Sequence, residues 1–442
     1  MISREKIEKW TIGYRITKFF VDIFFNLYFP RRVVGLEKVD FNDVLIFAPN
    51  HQNALIDALA ILTMRNWQPI FLARADIFQN PIANKILTFL KIMPVYRIRD
   101  GYGNLKQNDD IFNKTIDVLN NRNGLVILPE GNHEGFRRLR PLKKGIARIA
   151  FQAMQESEGQ IQIKIVPVGI EYSHYYKFGS PMFVKIGEPI NVSDYYPKYL
   201  ENNAKGVNQL ISELSSRIKK EMIHIQTEEY YNEYETIRVQ GAYDEVIRNK
   251  QKANQENLFF AGQKIVETLD KINENDSDGF KSIMNLTREL QNNMSAMGIK
   301  APISQSHLKG TKLFYKIPAL LATLPVFLYG FINNLFPIGI TAAISSKIKD
   351  PQFIGSFRFV AGLVLLPLFH LIQAVVFAFV FKNFWLALIY FISLPLSALL
   401  MQMWRKCFFG AIKEIKILKV RLFNKKLYKN VNMKQNFQIK KL

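Results

Sequence analysis

Val44-Leu-Ile-Phe-Ala-Pro49, then Asn50-His-Gln-Asn-Ala-Leu-Ile-Asp57, then Ala58-Leu-Ala-Ile-Leu-Thr-Met64 is the stretch around which the chain is organised. The first run is short and apolar, as a buried strand is, and the last reads as a helix. His51 therefore sits where a buried strand ends and a helix begins. Ligands gather at such strand ends in α/β sheets, and helix N-termini attract anions. A histidine with a carboxylate in reach is the minimal general-base pair. The imidazole titrates near neutral pH, and the carboxylate orients it and stabilises its charged form. Taken alone, a turn histidine and a helix-start aspartate satisfy the same pattern.

The alternation continues over residues 33–225. Strand-like runs are Val33–Gly35, Val44–Ala48, Pro69–Ala73, Ile92–Tyr96, Leu125–Leu128, Ile163–Ile170 and Met182–Ile186. Helix-like runs lie between them at 55–65, 80–90, 106–121, 144–156 and 206–225. This order predicts an α/β domain, a mixed sheet covered by helices.

Outside that domain the chain changes character four times. Residues 1–32 predict an amphipathic helix over 7–29, apolar and aromatic with one polar stripe (Arg15, Lys18, Asp22, Asn26). An interfacial helix with its cations toward lipid phosphate fits that pattern, and so does a helix packed on its own domain. Residues 226–310 are rich in Glu, Asn, Gln and Lys with apolar residues at helical spacing, and predict a helical appendage. The segment 311–406 is nearly charge-free from 317 to 404. Runs 357–381 and 384–404 are each long enough to cross a bilayer, for which ~20 apolar residues suffice. The run 317–346 reads as a re-entrant pair bent at Asn333-Asn334, or as a single span with an interfacial helix. His370 and Gln373 fall inside a span and are expected to pair between helices, with a functional role as the alternative. From 405 onward there are twelve Lys or Arg against a single acidic residue, Glu414, so residues 407–442 read as a basic cytoplasmic tail.

Composition narrows the partners. The net charge of +22 fits nucleic acid or anionic lipid. The apolar C-terminal third favours anionic lipid headgroups, and no nucleic-acid motif accompanies the charge. The one cysteine, Cys407, excludes an intrachain disulfide and fits a reducing compartment. The six histidines and the cysteine lack metal-ligand spacing, so no metal is expected. No cleavable signal peptide is expected at the N-terminus. Lys and Arg flank both ends of the 357–404 hairpin, which puts those ends in the cytoplasm. Frequent Asn, Lys and Ile lean toward a bacterial inner membrane, with the catalytic domain on the cytoplasmic face.

Three further segments carry chemistry. In Pro94-Val-Tyr-Arg-Ile-Arg-Asp100, Arg97 and Arg99 share one side if the strand continues, and arginine forks match phosphate. In Leu128-Pro-Glu-Gly-Asn-His-Glu-Gly135, a strand runs into a tight turn at Glu130-Gly131. Arg137, Arg138, Arg140, Lys143 and Lys144 follow, five cations before a helix opened by Gly145. In Ile165-Val-Pro-Val-Gly-Ile-Glu-Tyr172, Pro167 indicates a strand end or a bulge.

With Asn50, His51 and Asp57, these segments, in this order, resemble the glycerol-3-phosphate and 1-acylglycerol-3-phosphate (lysophosphatidic acid) acyltransferase superfamily over about 35–225. The resemblance is to its variant with five residues between the motif His and Asp. Arg97, the Pro129-Glu130-Gly131 turn and Pro167 match the second, third and fourth motifs, and Asn132-His133-Glu134 resembles a Ser-His variant of the third. The resemblance implies a membrane-bound O-acyltransferase of phospholipid synthesis. His51 would be the base and Asp57 its orienting carboxylate. Asn50, Arg97, Arg99, Glu130, Gly131, His133 and Lys143 would surround the substrate, with His133 as a competing base. It implies no bound cofactor, with acyl-CoA or acyl-carrier protein as donor and glycerol-3-phosphate or lysophosphatidic acid as acceptor. An oxyanion would be held by backbone N–H groups of the Asn50–Gln52 turn or of the Glu-Gly turn. No Gly-x-Ser-x-Gly nucleophile elbow is present. Another lysolipid or an amino-acid lipid as acceptor, and an inactive lipid-binding scaffold, stay open at this point.

Overall fold

The computed structural model describes residues 7–95, 105–296, 298 and 313–424. The chain divides into two compact units, Met1–His224 with Asp350–Ser356, and Ile225–Lys349 with Phe357–Leu442.

In the first unit, α1 (Ile12–Tyr28) precedes an alternation of β1 (Arg31–Val34), β2 (Val44–Pro49), α2 (Ala54–Leu62), β3 (Ile70–Arg74), α3 (Pro81–Phe89), β4 (Ile92–Val95), α4 (Leu105–Asn120) and β5 (Leu125–Val126). There follow α5 (Gly145–Glu156), β6 (Ile163–Tyr172), β7 (Met182–Ile186), β8 (Ile190–Asn191), α6 (Tyr196–Glu201) and α7 (Asn203–Glu221). The strands form one mixed sheet in the order β1-β7-β6-β2-β5-β3-β4, with β8 also on β6. Pairing is parallel except where β7 and β8 run antiparallel to β6.

The middle of this sheet is β2, and all six of its residues are buried. Val44, Ile46 and Ala48 face a core completed by Ile149, Phe151 and Leu210 from α5 and α7. Phe47, on the other face, packs edge-on against Trp67. A strand covered on both faces must be apolar at every position, which is why its sequence shows no alternation.

Pro167 is mid-strand, not at a strand end or a bulge. It pairs with Ala48 of β2 on one side. On the other side β6 changes partner, from β8 at Lys164 and Ile165 to β7 at Val168. The missing N–H of proline is tolerated in that gap. Gly169 has its own constraint: an added Cβ would stand 1.8 Å from the carbonyl oxygen of Glu221. Gly169→Ala is expected to destabilise the domain by about 3 kcal/mol through overpacking against backbone. A lowered midpoint in denaturant checks this.

Within the polar stripe of α1, Lys18 turns inward, while Arg15 and Asn26 stay exposed. Lys18 is buried and donates to Asp22 Oδ2 at 2.7 Å and to the carbonyl of Arg65 at 3.1 Å. Asn26 accepts from Arg31 at 2.9 Å. Lys18, so paired, packs inside, while the apolar residues Ile12, Ile16, Phe19, Phe20 and Ile23 are left exposed. Ile82, Ile86 and Phe89 of α3 are exposed too.

The second unit opens with three helices, α8 (Tyr231–Arg248), α9 (Gln255–Asn275) and α10 (Ser277–Ala296). Its remaining helices are α11 (Leu313–Ala322), α12 (Leu324–Ser345), α13 (Pro351–Phe381, whose first turns belong to the first unit) and α14 (Phe384–Phe423). The last three are long and apolar enough to cross a membrane. Most of their large side chains lie on the outside, Phe379, Val380 and Trp385 among them. Such a surface suits lipid rather than water. The chain is not bent at Asn333-Asn334 as in a re-entrant pair: α12 runs unbroken through them, and the break comes at Thr323. The reason is that both asparagines find partners. Asn334 donates to the Gly330 carbonyl within its own helix, and its Oδ1 accepts from His370 Nε2 at 2.9 Å. The Asn333 carbonyl accepts from Gln373 at 2.8 Å, and its side chain accepts from Tyr390 at 2.5 Å. His370 and Gln373 thus pair between helices, as expected, and polar groups so satisfied stabilise apolar helices against one another. The basic stretch after 404 begins inside α14, which continues to Phe423; residues 425–442 lie outside the described part.

Candidate active site

The site is built where β2 ends. Asn50 stitches that end to β6: its side chain accepts from Ile170 N at 2.7 Å and donates to Ile170 O at 3.2 Å. It is fully buried, so it shapes the turn rather than facing the opening. His51 follows, with a side chain 14% exposed. Ala54 then adopts φ +41°, a left-handed conformation uncommon outside glycine. This kinked start of α2 places Asp57, in its first turn, beneath the His51 ring.

Asp57 is completely buried and accepts four hydrogen bonds. Oδ2 takes those of His51 Nδ1 at 2.8 Å and of the Gln52 and Asn53 N–H groups, both at 2.7 Å. Oδ1 takes that of the Tyr172 hydroxyl at 2.5 Å. With Nδ1–H donating to Asp57, the lone pair of His51 Nε2 is left to act as base. Burial and Asp57 both push the Tyr172 phenol up, so it stays a hydroxyl and a donor.

Glu130 reaches the site from below. It is 2% exposed, and its carboxylate accepts from His51 N at 2.6 Å and from Arg140 N at 3.0 Å. The Glu-Gly turn closes with Gly131 N on Leu128 O at 3.1 Å and φ +69° at Gly131. Burial raises the Glu130 carboxyl from 4.5 to about 7. The folded chain therefore keeps this proton over a range in which the unfolded chain has lost it. Stability falls as pH rises from about 4.5 to about 7 and is level above, a contribution of about 3 kcal/mol. The difference in unfolding free energy between wild type and Glu130→Gln, measured from pH 4.5 to 8, is expected to show that slope.

The backbone N–H groups considered for an oxyanion are engaged internally. Those of Asn50, His51, Gln52 and Asn53 point at Val168 O, Glu130, Asp57 and Asp57, and that of Gly131 is spent in its turn. Among the five cations of the loop, Arg137 is structural: buried, it donates to Glu171 Oε1 at 2.7 Å and to the Tyr172 carbonyl at 2.6 Å. Lys143 and Lys144 are exposed, and the Lys143 N–H donates to Pro129 O at 2.7 Å, which ties the cation to the Glu-Gly turn. Arg97 and Arg99 lie outside the described residues.

His133 stands beside the pair. Its ring meets that of His51 edge-on, with centroids 5.3 Å apart, and that of Phe353 at 4.7 Å. Burial and the neighbouring His51 lower its proton affinity, against the pull of Asp350. Asp350 Oδ2 lies 3.7 Å from His133 Nε2. Two further contacts come from the same distant segment. Ser356 Oγ accepts from Leu55 N at 3.1 Å, supplying the cap that the Asn53 side chain does not. Gly355 passes so close to the Tyr175 carbonyl that an added Cβ would stand 2.8 Å from it.

A buried strand ending in a histidine–carboxylate pair, over a Pro-Glu-Gly turn, is the arrangement expected of the superfamily. Residues 30–171 match the family profile described as Acyltransferase. The chain carries a domain of the acyltransferase family. Glycerol-3-phosphate O-acyltransferase 1 of Saccharomyces cerevisiae is 30% identical over 132 residues, which is 29% of this chain and 16% of that protein. The 1-acyl-sn-glycerol-3-phosphate acyltransferase of Limnanthes alba is 23% identical over 173 residues, 37% of this chain and 57% of that one. This chain thus spans about a sixth of the length of the yeast relative. The crystal structure of the 1-acyl-sn-glycerophosphate (LPA) acyltransferase PlsC from Thermotoga maritima aligns with 49% of this chain and 85% of its own, at 21% identity and a TM-score of 0.31.

Sequence reasoning did not find Tyr172 as a partner of Asp57. Its hydroxyl closes the loop between residues 115 positions apart, and only its place at the end of an apolar strand hints at burial. Asp350, Phe353 and Ser356 gave no signal at all, because they open an apolar helix more than 200 residues from the parts of the chain that they touch.

Proposed function

We propose that this protein transfers a fatty acyl group from a thioester to a hydroxyl of glycerol-3-phosphate or lysophosphatidic acid, at a membrane. The observation that carries this reading is the 2.8 Å contact of His51 Nδ1 with the buried Asp57, inside the residues that match the acyltransferase family. His51 Nε2 removes the proton of the acceptor hydroxyl as its oxygen attacks the thioester carbonyl carbon. The new C–O bond forms, the C–S bond breaks, and the thiolate leaves to take up a proton. Asp57 stabilises the imidazolium formed on the way. No acyl-enzyme is required, since a thioester is already activated. The kinship with glycerol-3-phosphate and 1-acyl-sn-glycerol-3-phosphate acyltransferases supports these acceptors. Lys143, with Arg97 and Arg99, would meet the acceptor's phosphate.

The donor is acyl-CoA or acyl-carrier protein, both thioesters. The exposed apolar faces of α1 and α3 and the three long helices support a membrane-bound protein that draws an amphiphilic acceptor from lipid. The Lys and Arg flanks of the hairpin support a cytoplasmic placement, in a bacterial inner membrane.

The test is acyl transfer by the full chain purified in detergent. Radiolabelled glycerol-3-phosphate and lysophosphatidic acid are offered separately, each with acyl-CoA and with acyl-carrier protein. Turnover of one acceptor is expected. Turnover of neither by folded protein would overturn the substrate assignment and turn the search to other lysolipids.

A further inference from the structure

We propose that the segment Asp350–Ser356 is a wall of the acyl-transfer site, with Asp350 a positioning residue for His133 and, through that ring, for His51. This rests on His51 being the base. Seven residues from the far end of the chain touch three parts of the site. Asp350 and Phe353 hold His133, Ser356 caps the first turn of α2 at Leu55, and Gly355 lies against Asn53 and the Tyr175 carbonyl. A segment packed by a hydrogen bond, a ring contact and a close backbone approach is a built part of the unit to which it belongs.

The chemistry gives the segment a role. When His51 takes the acceptor's proton, the two facing imidazoles gain one positive charge between them. Asp57 faces that charge from one side. Asp350 faces it from the other, beyond the His133 ring. Arg74 is the opposing cation, and Phe353 contributes no charge. The pair at His133 is 3.7 Å apart and the Asp350 side chain is 47% exposed, so water screens part of the interaction. Removing the carboxylate should therefore weaken, not abolish, the stabilisation of the developing imidazolium. It should also lower the proton affinity of the His133 ring, which Asp350 faces.

The experiment compares wild type, D350N, D350E, F353A and H51A as full-length proteins in detergent, reading kcat, KM for each substrate, and the pH profile of kcat/KM. D350N is expected to lower kcat about 3- to 10-fold with KM unchanged, and to move the acidic limb down by about half a pH unit. D350E restores both, and F353A lowers kcat without moving the limb. If D350N does not hold its fold, D350S takes its place in the same comparison. Wild-type kcat and an unmoved limb in the folded variant would overturn the proposal while leaving the base assignment intact. An active H51A would instead overturn the base assignment itself, whatever D350N shows.

Discussion

His51→Ala is expected to lower acyl transfer by about 10³- to 10⁴-fold while the protein stays folded and in the membrane fraction. The side chain is only 14% exposed, yet it contributes little to the core, because its partners are Asp57 and the edge of His133. Its backbone N–H remains free to donate to Glu130 in the alanine variant, so the turn is kept. What is lost is the proton acceptor at Nε2, and a positioned base contributes typically 10²- to 10⁴-fold. The upper end is expected because, among the described residues, no second base sits at the same distance from Asp57: His133 lies beyond the His51 ring. Single-turnover assays on wild type and variant, with circular dichroism as the control for folding, check this. Full activity with normal secondary structure would move the base to His133.

Asp57→Asn is the second large effect, and it is double. The carboxylate accepts two backbone N–H groups and the His51 Nδ1–H on one oxygen and the Tyr172 hydroxyl on the other. An amide keeps the volume but offers only one oxygen. If that oxygen faces Gln52 and Asn53, the NH₂ group confronts the Tyr172 hydroxyl. If it faces Tyr172, the NH₂ group confronts three donors. A buried donor left without an acceptor costs about 1–3 kcal/mol. The expected stability loss is therefore about 3 kcal/mol, read as a lower denaturant midpoint. Activity should fall by about 10³-fold or more, because His51 loses both the tautomer set by its partner and the negative charge that stabilises its imidazolium. The two losses separate experimentally. Tyr172→Phe removes one bond to Asp57 but keeps the carboxylate, and should cost stability with a much smaller loss of rate.

The sheet was legible because strand and helix alternate with short, clean punctuation from Val33 to Glu221. Seven predicted strand runs coincide with seven strands of the structure, and only the two-residue β8 escaped, being too short to carry a pattern. The pairing of His51 with Asp57 was legible for a local reason: both belong to one strand–turn–helix unit, and a helix's first turn brings its aspartate under the preceding turn. The inward turn of Lys18 on α1 was not, because a helix with polar and aromatic residues around it packs either way until its neighbours are known. Lys18 turns inward because the Arg65 carbonyl is there to receive it.

Local pattern alone therefore decided the strand–turn–helix at His51, the Pro-Glu-Gly turn, the long apolar helices and the family to which residues 30–171 are kin. Each is written in consecutive residues, where backbone propensity and hydrophobic period act over a few positions. Folding in three dimensions decided the rest. It spends both oxygens of Glu130 on backbone groups, closes Tyr172 onto Asp57, buries Arg137 against Glu171, and sets Asp350 and Phe353 against His133. These contacts join residues 10 to more than 200 positions apart in the chain. No local preference encodes such pairs, since they exist only once a shared core has brought β2, β6 and the start of α13 to the same place.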